Sequence, residues 1–160
     1  MGEQFLKSDL LAIPSLPFET DGPHRGELPM KGRRVLIADD LSSVLSEAAK
    51  LLGESFEIVG MVSDGPAALD TILAINPDLA VLDISMPGMS GIEVARELRN
   101  RGNNTRIVFL TVHEDADIVA TCFAAGGSGY VLKVLMDSDL IQALNEALAG
   151  REFTSHFSPL

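Results

Sequence analysis

The chain has 160 residues, 46% of them hydrophobic and 22% charged, a composition typical of one soluble globular domain rather than a disordered chain. Its formal net charge of −11 disfavours direct binding to nucleic acid or to an anionic membrane surface. The single cysteine cannot form an internal disulfide, and neither a secretory leader pattern nor an apolar run of membrane-spanning length is evident. We therefore expect a cytoplasmic protein that is not inserted in a membrane.

Residues 1–32 are predicted to be a flexible extension outside the folded core. Four of the eight prolines fall in this segment, and prolines at this density interrupt regular structure. Met30 precedes a basic stretch and is a second candidate for the start of translation. The peptide at the native N-terminus, identified by mass spectrometry, would decide between the two starts.

From residue 33 to about 150, short apolar runs alternate with segments of helical periodicity. The runs have the length and composition expected of strands covered on both faces. In chain order they are VLIAD, FEIVGMV, LAVLD, RIVFLT and GYVLK. A tail, residues 151–160, is predicted to follow this folded region.

A helix is predicted after each strand. The first carries an apolar stripe and ends near Gly53, and the second begins around Pro66 and ends before Pro77. The third runs from Ser90 to about Arg101, and the apolar stripes of the fourth and fifth helices lie at 118–123 and 140–148. This βα alternation predicts an α/β fold with a five-stranded parallel sheet, doubly wound by helices on both faces.

In such a sheet, ligands bind beyond the carboxyl ends of the strands. The first strand ends at Asp39-Asp40, the third at Asp83, the fourth at Thr111 and the fifth at Lys133. Parallel strands bring these side chains to one edge, where three carboxylates repel one another and favour a bound cation. Oxygen ligands without histidine or cysteine indicate a hard ion such as Mg²⁺.

A magnesium site with these neighbours favours phosphoryl chemistry. The Asp83 carboxylate is a candidate nucleophile toward phosphorus, Lys133 a candidate clamp for the transferring group, and Thr111 a hydroxyl able to hydrogen-bond a phosphoryl oxygen. Each residue also has an ordinary structural interpretation, since Asp39 could cap the first helix and Asp83 could cap a loop. Convergence at one edge of the sheet favours the functional interpretation.

At these residues the chain closely resembles the receiver domain of two-component response regulators. The resemblance covers about residues 33–150 and rests on four motifs in the family's order, VLIADD, LAVLDISMPGMSG, FLTVHE and AAGGSGYVLK. It implies a flavodoxin-like or CheY-like (βα)5 fold with strand order 2-1-3-4-5. The end of the region also resembles receivers of LuxR-type transcription regulators.

The resemblance implies a role for each site residue. Asp83 matches the phosphoacceptor, and Asp39 and Asp40 match the acidic pair that binds Mg²⁺ together with Asp83. The main-chain carbonyl of Ser85 matches a further metal ligand. Lys133 matches the lysine that pairs with the acceptor and then with its phosphoryl group.

The resemblance also implies how a signal leaves the site. Thr111 and Tyr130 match the switch pair, which rearranges on phosphorylation and alters the face formed by the fourth helix, fifth strand and fifth helix. The implied donor is a sensor histidine kinase or a phosphotransfer protein, and the implied reader is a downstream protein. A phosphorylation-dependent homodimer is common in the family. Such a protein is not an enzyme, although it promotes its own phosphoryl transfer and dephosphorylation.

Several alternatives remain open at this point. The chain could be a stand-alone receiver or part of a longer LuxR-type transcription regulator, and it could be an interaction module that is never phosphorylated. An enzyme acting on a small phosphate substrate is disfavoured, because no cap or general base is evident. His113 is interpreted as an ordinary loop residue and Cys122 as a small core residue. Val134 stands where many family members have proline or a small residue, so the resemblance does not define the geometry of the loop after the fifth strand.

Overall fold

The computed structural model describes residues 32–156. The predictions for the N-terminal extension therefore lie, apart from Gly32, outside the described residues. The question of the start at Met30 and the last four residues of the predicted tail lie outside them as well.

The described residues alternate strands with helices, as the sequence predicts. The strands are β1 (Arg34–Ala38), β2 (Glu57–Val62), β3 (Leu79–Leu82), β4 (Arg106–Thr111), β5 (Gly129–Leu132) and β6 (Phe153–Thr154). The helices are α1 (Ser42–Leu52), α2 (Gly65–Ile75), α3 (Gly91–Asn100), α4 (Ala116–Ala124) and α5 (Met136–Leu148).

The strands form one parallel sheet in the order β2-β1-β3-β4-β5-β6. This confirms the CheY-like order 2-1-3-4-5 for the five predicted strands. All four residues of β3 and of β5 are buried, as expected for strands covered on both faces. Strand β2 departs from that expectation because it lies at an edge of the sheet, where it is half-buried and Met61 is 51% exposed.

The helix ends follow from local sequence chemistry. The Asp64 side chain caps α2 by accepting a hydrogen bond from the amide of Ala67, with Pro66 in the first turn. Asn76 ends the same helix in the left-handed conformation at φ 46°. A capping box begins α3, since Ser90 and Glu93 each accept a hydrogen bond from the other's amide.

The core contains Cys122, the cysteine that was predicted to be a small core residue. Cys122 is 1% exposed, and burial raises the pKa of its thiol to about 11, so its prediction as a core residue is confirmed.

Among the described residues no helix is both long and apolar enough to cross a membrane.

The sixth strand was not predicted. Residues Phe153–Thr154, within the predicted tail, pair in parallel with Gly129 and Tyr130 of β5. The strand has only two residues, too few for a recognisable apolar alternation. It places part of the tail at the edge of the sheet next to β5.

The loop after β5 is short and ordered. Lys133–Leu135 form a single turn of 3-10 helix that leads directly into α5. Val134, in the middle of that turn, is 75% exposed and therefore anchors the turn little by packing.

Candidate functional site

Three carboxylates meet at the carboxyl edge of the sheet. Asp39, Asp40 and Asp83 each offer an oxygen, and these oxygens all lie within 4.8 Å of one another. Asp39 and Asp83 are buried, whereas Asp40 is exposed and opens the cluster to solvent. The structure thus brings together the three acidic residues that the strand ends singled out.

The backbone of β1 and its neighbours holds this cluster in place. The amide of Asp39 donates to the carbonyl of Val62 at 3.1 Å, and the amide of Asp83 donates to the carbonyl of Ala38 at 2.9 Å. Asp39 Oδ1 accepts a hydrogen bond from the amide of Leu41 at 2.9 Å and so shapes the loop before α1. The residue at the cap position of α1 is Leu41, so Asp39 is not the cap of that helix.

Lys133 lies against two of the carboxylates. Its Nζ is 2.9 Å from Asp39 Oδ2 and 3.5 Å from Asp83 Oδ2. Asp39 Oδ2 is fully buried and, despite this ion pair, has no partner with hydrogen-bond geometry among the described residues. One ammonium group therefore faces two buried anionic groups, and the cluster keeps an excess of negative charge.

The electrostatic balance is visible at Asp83. Burial raises the pKa of its carboxyl above the usual range, and the neighbouring Asp39 charge raises it further. The Lys133 ammonium and the amide of Ser85 act in the opposite direction but do not cancel these effects. The acceptor candidate is thus a carboxylate whose charge the protein alone does not fully compensate.

The loop after β3 is held by a close approach of the start of α3 to the backbone of Asp83. Gly88 has φ +83°, a conformation that favours glycine, and the amide of Gly91 donates to the carbonyl of Ile84 at 2.8 Å. A Cβ on Gly91 would lie 2.1 Å from the carbonyl oxygen of Asp83. Ser85 in this loop is exposed, and its carbonyl as a metal ligand stays a prediction.

Thr111 and Tyr130 are linked through one residue that sequence reasoning passed over. Both side chains are buried, at 0% and 1% exposure. The Tyr130 hydroxyl donates to the carbonyl of His113 at 2.6 Å, and the amide of His113 donates to Thr111 Oγ1 at 3.3 Å. Burial, followed by the charges of Cys122 and Asp115, raises the pKa of Tyr130 to about 12.

The sequence predicted His113 to be an ordinary loop residue. It contacts Thr111 and Tyr130 through its backbone, which a side-chain pattern does not report. The contacts to Thr111 and Tyr130 use its amide and carbonyl, which every residue type has, so the residue's identity carries no signal for them. Its ring Nε2 lies 3.4 Å from Ser85 Oγ in the loop after β3. The sequence hint to this backbone role was the position of His113, two residues after Thr111 at the end of β4.

Comparison with known proteins assigns the chain to a family. A model of the response regulator receiver domain matches residues 35–145. The chain belongs to this family, the receiver domains of two-component signal transduction systems.

Individual relatives agree with this assignment. The chain is 34% identical over 118 residues to the nitrate/nitrite response regulator protein NarL of Escherichia coli K12, covering 72% of this chain and 55% of the relative. It is 37% identical over 125 residues to the transcriptional regulatory protein PdtaR of Mycobacterium tuberculosis, covering 77% of this chain and 60% of the relative. The chain therefore spans somewhat more than half the length of these proteins.

A solved structure agrees as well. The signal receiver domain of the putative response regulator NarL from Mycobacterium tuberculosis superposes with a TM-score of 0.72 at 32% identity. The superposition covers 76% of this chain and 99% of that domain.

Proposed function

We propose that this chain accepts a phosphoryl group on Asp83 from a phosphohistidine of a sensor kinase or phosphotransfer protein, and passes the signal on through a change of surface. The observation that carries the proposal is the grouping of Asp83 with Asp39, Asp40 and Lys133 at the carboxyl edge of the sheet in a receiver domain. A structural role alone does not require three carboxylates within 4.8 Å of one another.

The residues present fit a magnesium ion. The cluster offers oxygen donors only, Asp40 is accessible to solvent, and Asp39 Oδ2 is a buried acceptor without a hydrogen-bond partner among the described residues. Asp39, Asp40, Asp83 and the Ser85 carbonyl would hold the ion. When bound, Mg²⁺ neutralises charge on the oxygens of the transferring phosphoryl group.

The chain's own residues then perform the transfer. An Asp83 carboxylate oxygen attacks phosphorus while the bond from phosphorus to the histidine nitrogen breaks, and that bond's electron pair stays on the imidazole. Lys133, already 3.5 Å from Asp83 Oδ2, is within reach of the new phosphoryl oxygens. The chain promotes this transfer and the later hydrolysis on itself, so we do not class it as an enzyme.

The response is proposed to run from Thr111 to Tyr130. The Thr111 hydroxyl accepts from the His113 amide, and drawing it toward a phosphoryl group would disturb a loop whose carbonyl also holds the Tyr130 hydroxyl. Tyr130 lies in β5, so the change reaches the face formed by α4, β5 and α5. We propose that a downstream protein, or a second copy of the chain, binds this face.

Phosphorylation with a small donor tests the proposal. The protein is incubated with Mg²⁺ and acetyl phosphate, and intact mass spectrometry follows a labile adduct. We expect one phosphoryl group on the wild type and on Asp70→Asn, which removes an exposed carboxylate from α2, and none on Asp83→Asn.

Three outcomes would contradict the proposal. The absence of any adduct would favour an interaction module that is not phosphorylated. Consumption of acetyl phosphate without an adduct would favour an enzyme. An adduct that persists in Asp83→Asn would identify another acceptor.

A further inference from the structure

One buried polar residue lies outside the cluster described above. Among the described residues, the buried polar or charged side chains are Asp39, Asp83, Thr111 and Ser155. The first three belong to the candidate site. Ser155 directly follows β6 and is 8% exposed. A buried hydroxyl is costly unless it is hydrogen-bonded, so its partners show what it holds together.

The Ser155 hydroxyl connects two separate elements. Its Oγ accepts a hydrogen bond from the amide of Leu132, the last residue of β5, at 3.2 Å. The same hydroxyl donates to Asp139 Oδ2 in the first turn of α5 at 2.7 Å. The Ser155 amide also donates to the carbonyl of Tyr130 at 2.8 Å, which fixes the backbone of Ser155 against β5.

Leu132 and Asp139, the two partners of the Ser155 hydroxyl, lie on either side of the turn that contains Lys133. The 3-10 turn Lys133–Leu135 begins directly after Leu132, and three residues separate its end from Asp139. Neither this turn nor α5 has a side-chain cap at its start, and Val134 is mostly exposed. Leu135 packs against the core at the end of the turn, and the hydroxyl of Ser155 is a direct hydrogen-bonded link between the residues that flank the turn.

We propose that Ser155 is a positioning residue for Lys133. Holding Leu132 and Asp139 together fixes the start of the turn, and thereby the reach of Lys133 Nζ to Asp39 and Asp83. The segment after α5 is then part of the phosphorylation machinery. Because coupling is reciprocal, a change in what Lys133 binds also changes how firmly Ser155 is held. This inference rests on the proposed function of Asp83 and Lys133.

The first test measures phosphorylation rates with acetyl phosphate and Mg²⁺ in two similarly shaped variants. Ser155→Thr keeps the hydroxyl and adds a methyl group, and Ser155→Val differs from it only in having a second methyl group in place of the hydroxyl. We expect the valine variant to react about 10-fold more slowly and the threonine variant within about twofold of wild type, because small displacements of a charged group slow such reactions strongly. Ser138→Ala is the matched control, since the exposed Ser138 hydroxyl bonds Asp139 Oδ1 and the carbonyl of Leu135 but has no hydrogen bond to β5 among the described residues.

A double variant separates positioning from general damage. If Ser155 acts through Lys133, Ser155→Val produces no further slowing in a Lys133→Gln background. An equal slowing in both backgrounds, or equal rates for the valine and threonine variants, would overturn the proposal.

Amide hydrogen exchange tests the link without any phosphorylation. We expect faster exchange at the Leu132 amide and through the Lys133–Leu135 turn in Ser155→Val, and an unchanged rate at the Leu132 amide in Ser138→Ala. Unchanged exchange in Ser155→Val would refute the link even if Asp83 is phosphorylated. Faster exchange in a protein that forms no adduct would instead refute the function proposed for Asp83 and keep the link.

Discussion

At Asp83 the fold holds a carboxylate where its charge is disfavoured. The residue is 5% exposed, lies near a second buried carboxylate and shares one lysine with it. Burial and the Asp39 charge therefore raise the pKa of Asp83. The cation of the proposed function would supply the positive charge that this arrangement favours.

A neutral side chain at this position should stabilise the unmodified protein. In buffer without divalent ions, we expect Asp83→Asn to raise the Tm by about 3 °C at pH 7, the shift expected for ~1 kcal/mol in a domain of this size. Lys133 keeps Asp39 as its partner in this variant.

The pH dependence has a definite sign. The folded state binds the Asp83 proton more tightly than the unfolded state, so wild-type stability falls as pH rises from the ordinary aspartate pKa through the raised one. The advantage of Asp83→Asn is therefore full above this window and vanishes below it. Thermal unfolding scans from pH 4 to pH 8 would show this, with the exposed Asp70→Asn as the charge-matched control. A lower Tm for Asp83→Asn at pH 7 would contradict the prediction.

Single residues differed in how far the sequence could place them. Asp39, Asp83 and Lys133 follow predicted strands, and parallel pairing is enough to bring them to one edge. The bridge through His113 depends on the main-chain path of the loop after β4, which side-chain identity does not specify. The role proposed for Ser155 depends on the pairing of β6 with β5, which no local sequence pattern predicted.

At the scale of elements, the start of α3 packs closely against Asp83, the proposed acceptor. Gly91 is the first residue of that helix, and its missing side chain lets the helix approach the backbone carbonyl of Asp83. The capping box of Ser90 and Glu93 then fixes where the helix begins. The position of the acceptor and the position of α3 therefore depend on each other.

Replacing Gly91 with alanine should be far more damaging than removing the neighbouring cap. The added Cβ would lie 2.1 Å from a backbone oxygen, so either the helix or the acceptor strand must shift. We expect Gly91→Ala to lower the free energy of unfolding by about 3 kcal/mol or more, and Ser90→Ala by about 1 kcal/mol. Urea unfolding of both variants measures the difference. Equal losses would show that α3 can move away from Asp83 at little cost.

The elements themselves were largely predictable, for a physical reason. β3 and β5 are short buried apolar runs, and α2 and α3 carry strong caps, so local and global preferences agree in them. β6 has two half-buried residues and is held by pairing with β5 and by the Ser155 hydroxyl. Such a strand exists because of its tertiary contacts, which is why sequence periodicity did not reveal it.

At the scale of the molecule, across the described residues, arginines lie at helix C-termini at one edge of the sheet and the clustered carboxylates lie at the other. Helix C-termini lie at the amino edge of the sheet, where their carbonyls attract cations. Arg34 donates to the carbonyl of Ile75 at the end of α2, and Arg106 donates to that of Ala147 in the last turn of α5. The three clustered carboxylates lie at the opposite edge. The site of the proposed metal therefore has three carboxylates beside one lysine ammonium.

This separation predicts a stabilisation by Mg²⁺ that is specific and saturable. An ion that binds only the folded state adds RT ln(1 + [Mg²⁺]/Kd), about 1.4 kcal/mol at ten times the Kd. We expect the wild-type Tm to rise with MgCl₂ and to return with EDTA. NaCl at equal ionic strength should reproduce little of the rise, because screening alone relieves buried repulsion weakly. Asp40→Asn, at the accessible side of the cluster, should lose most of the Mg²⁺ effect, whereas Asp70→Asn should keep it. If both variants respond to Mg²⁺ as the wild type does, the stabilisation reflects overall charge and not the cluster of Asp39, Asp40 and Asp83.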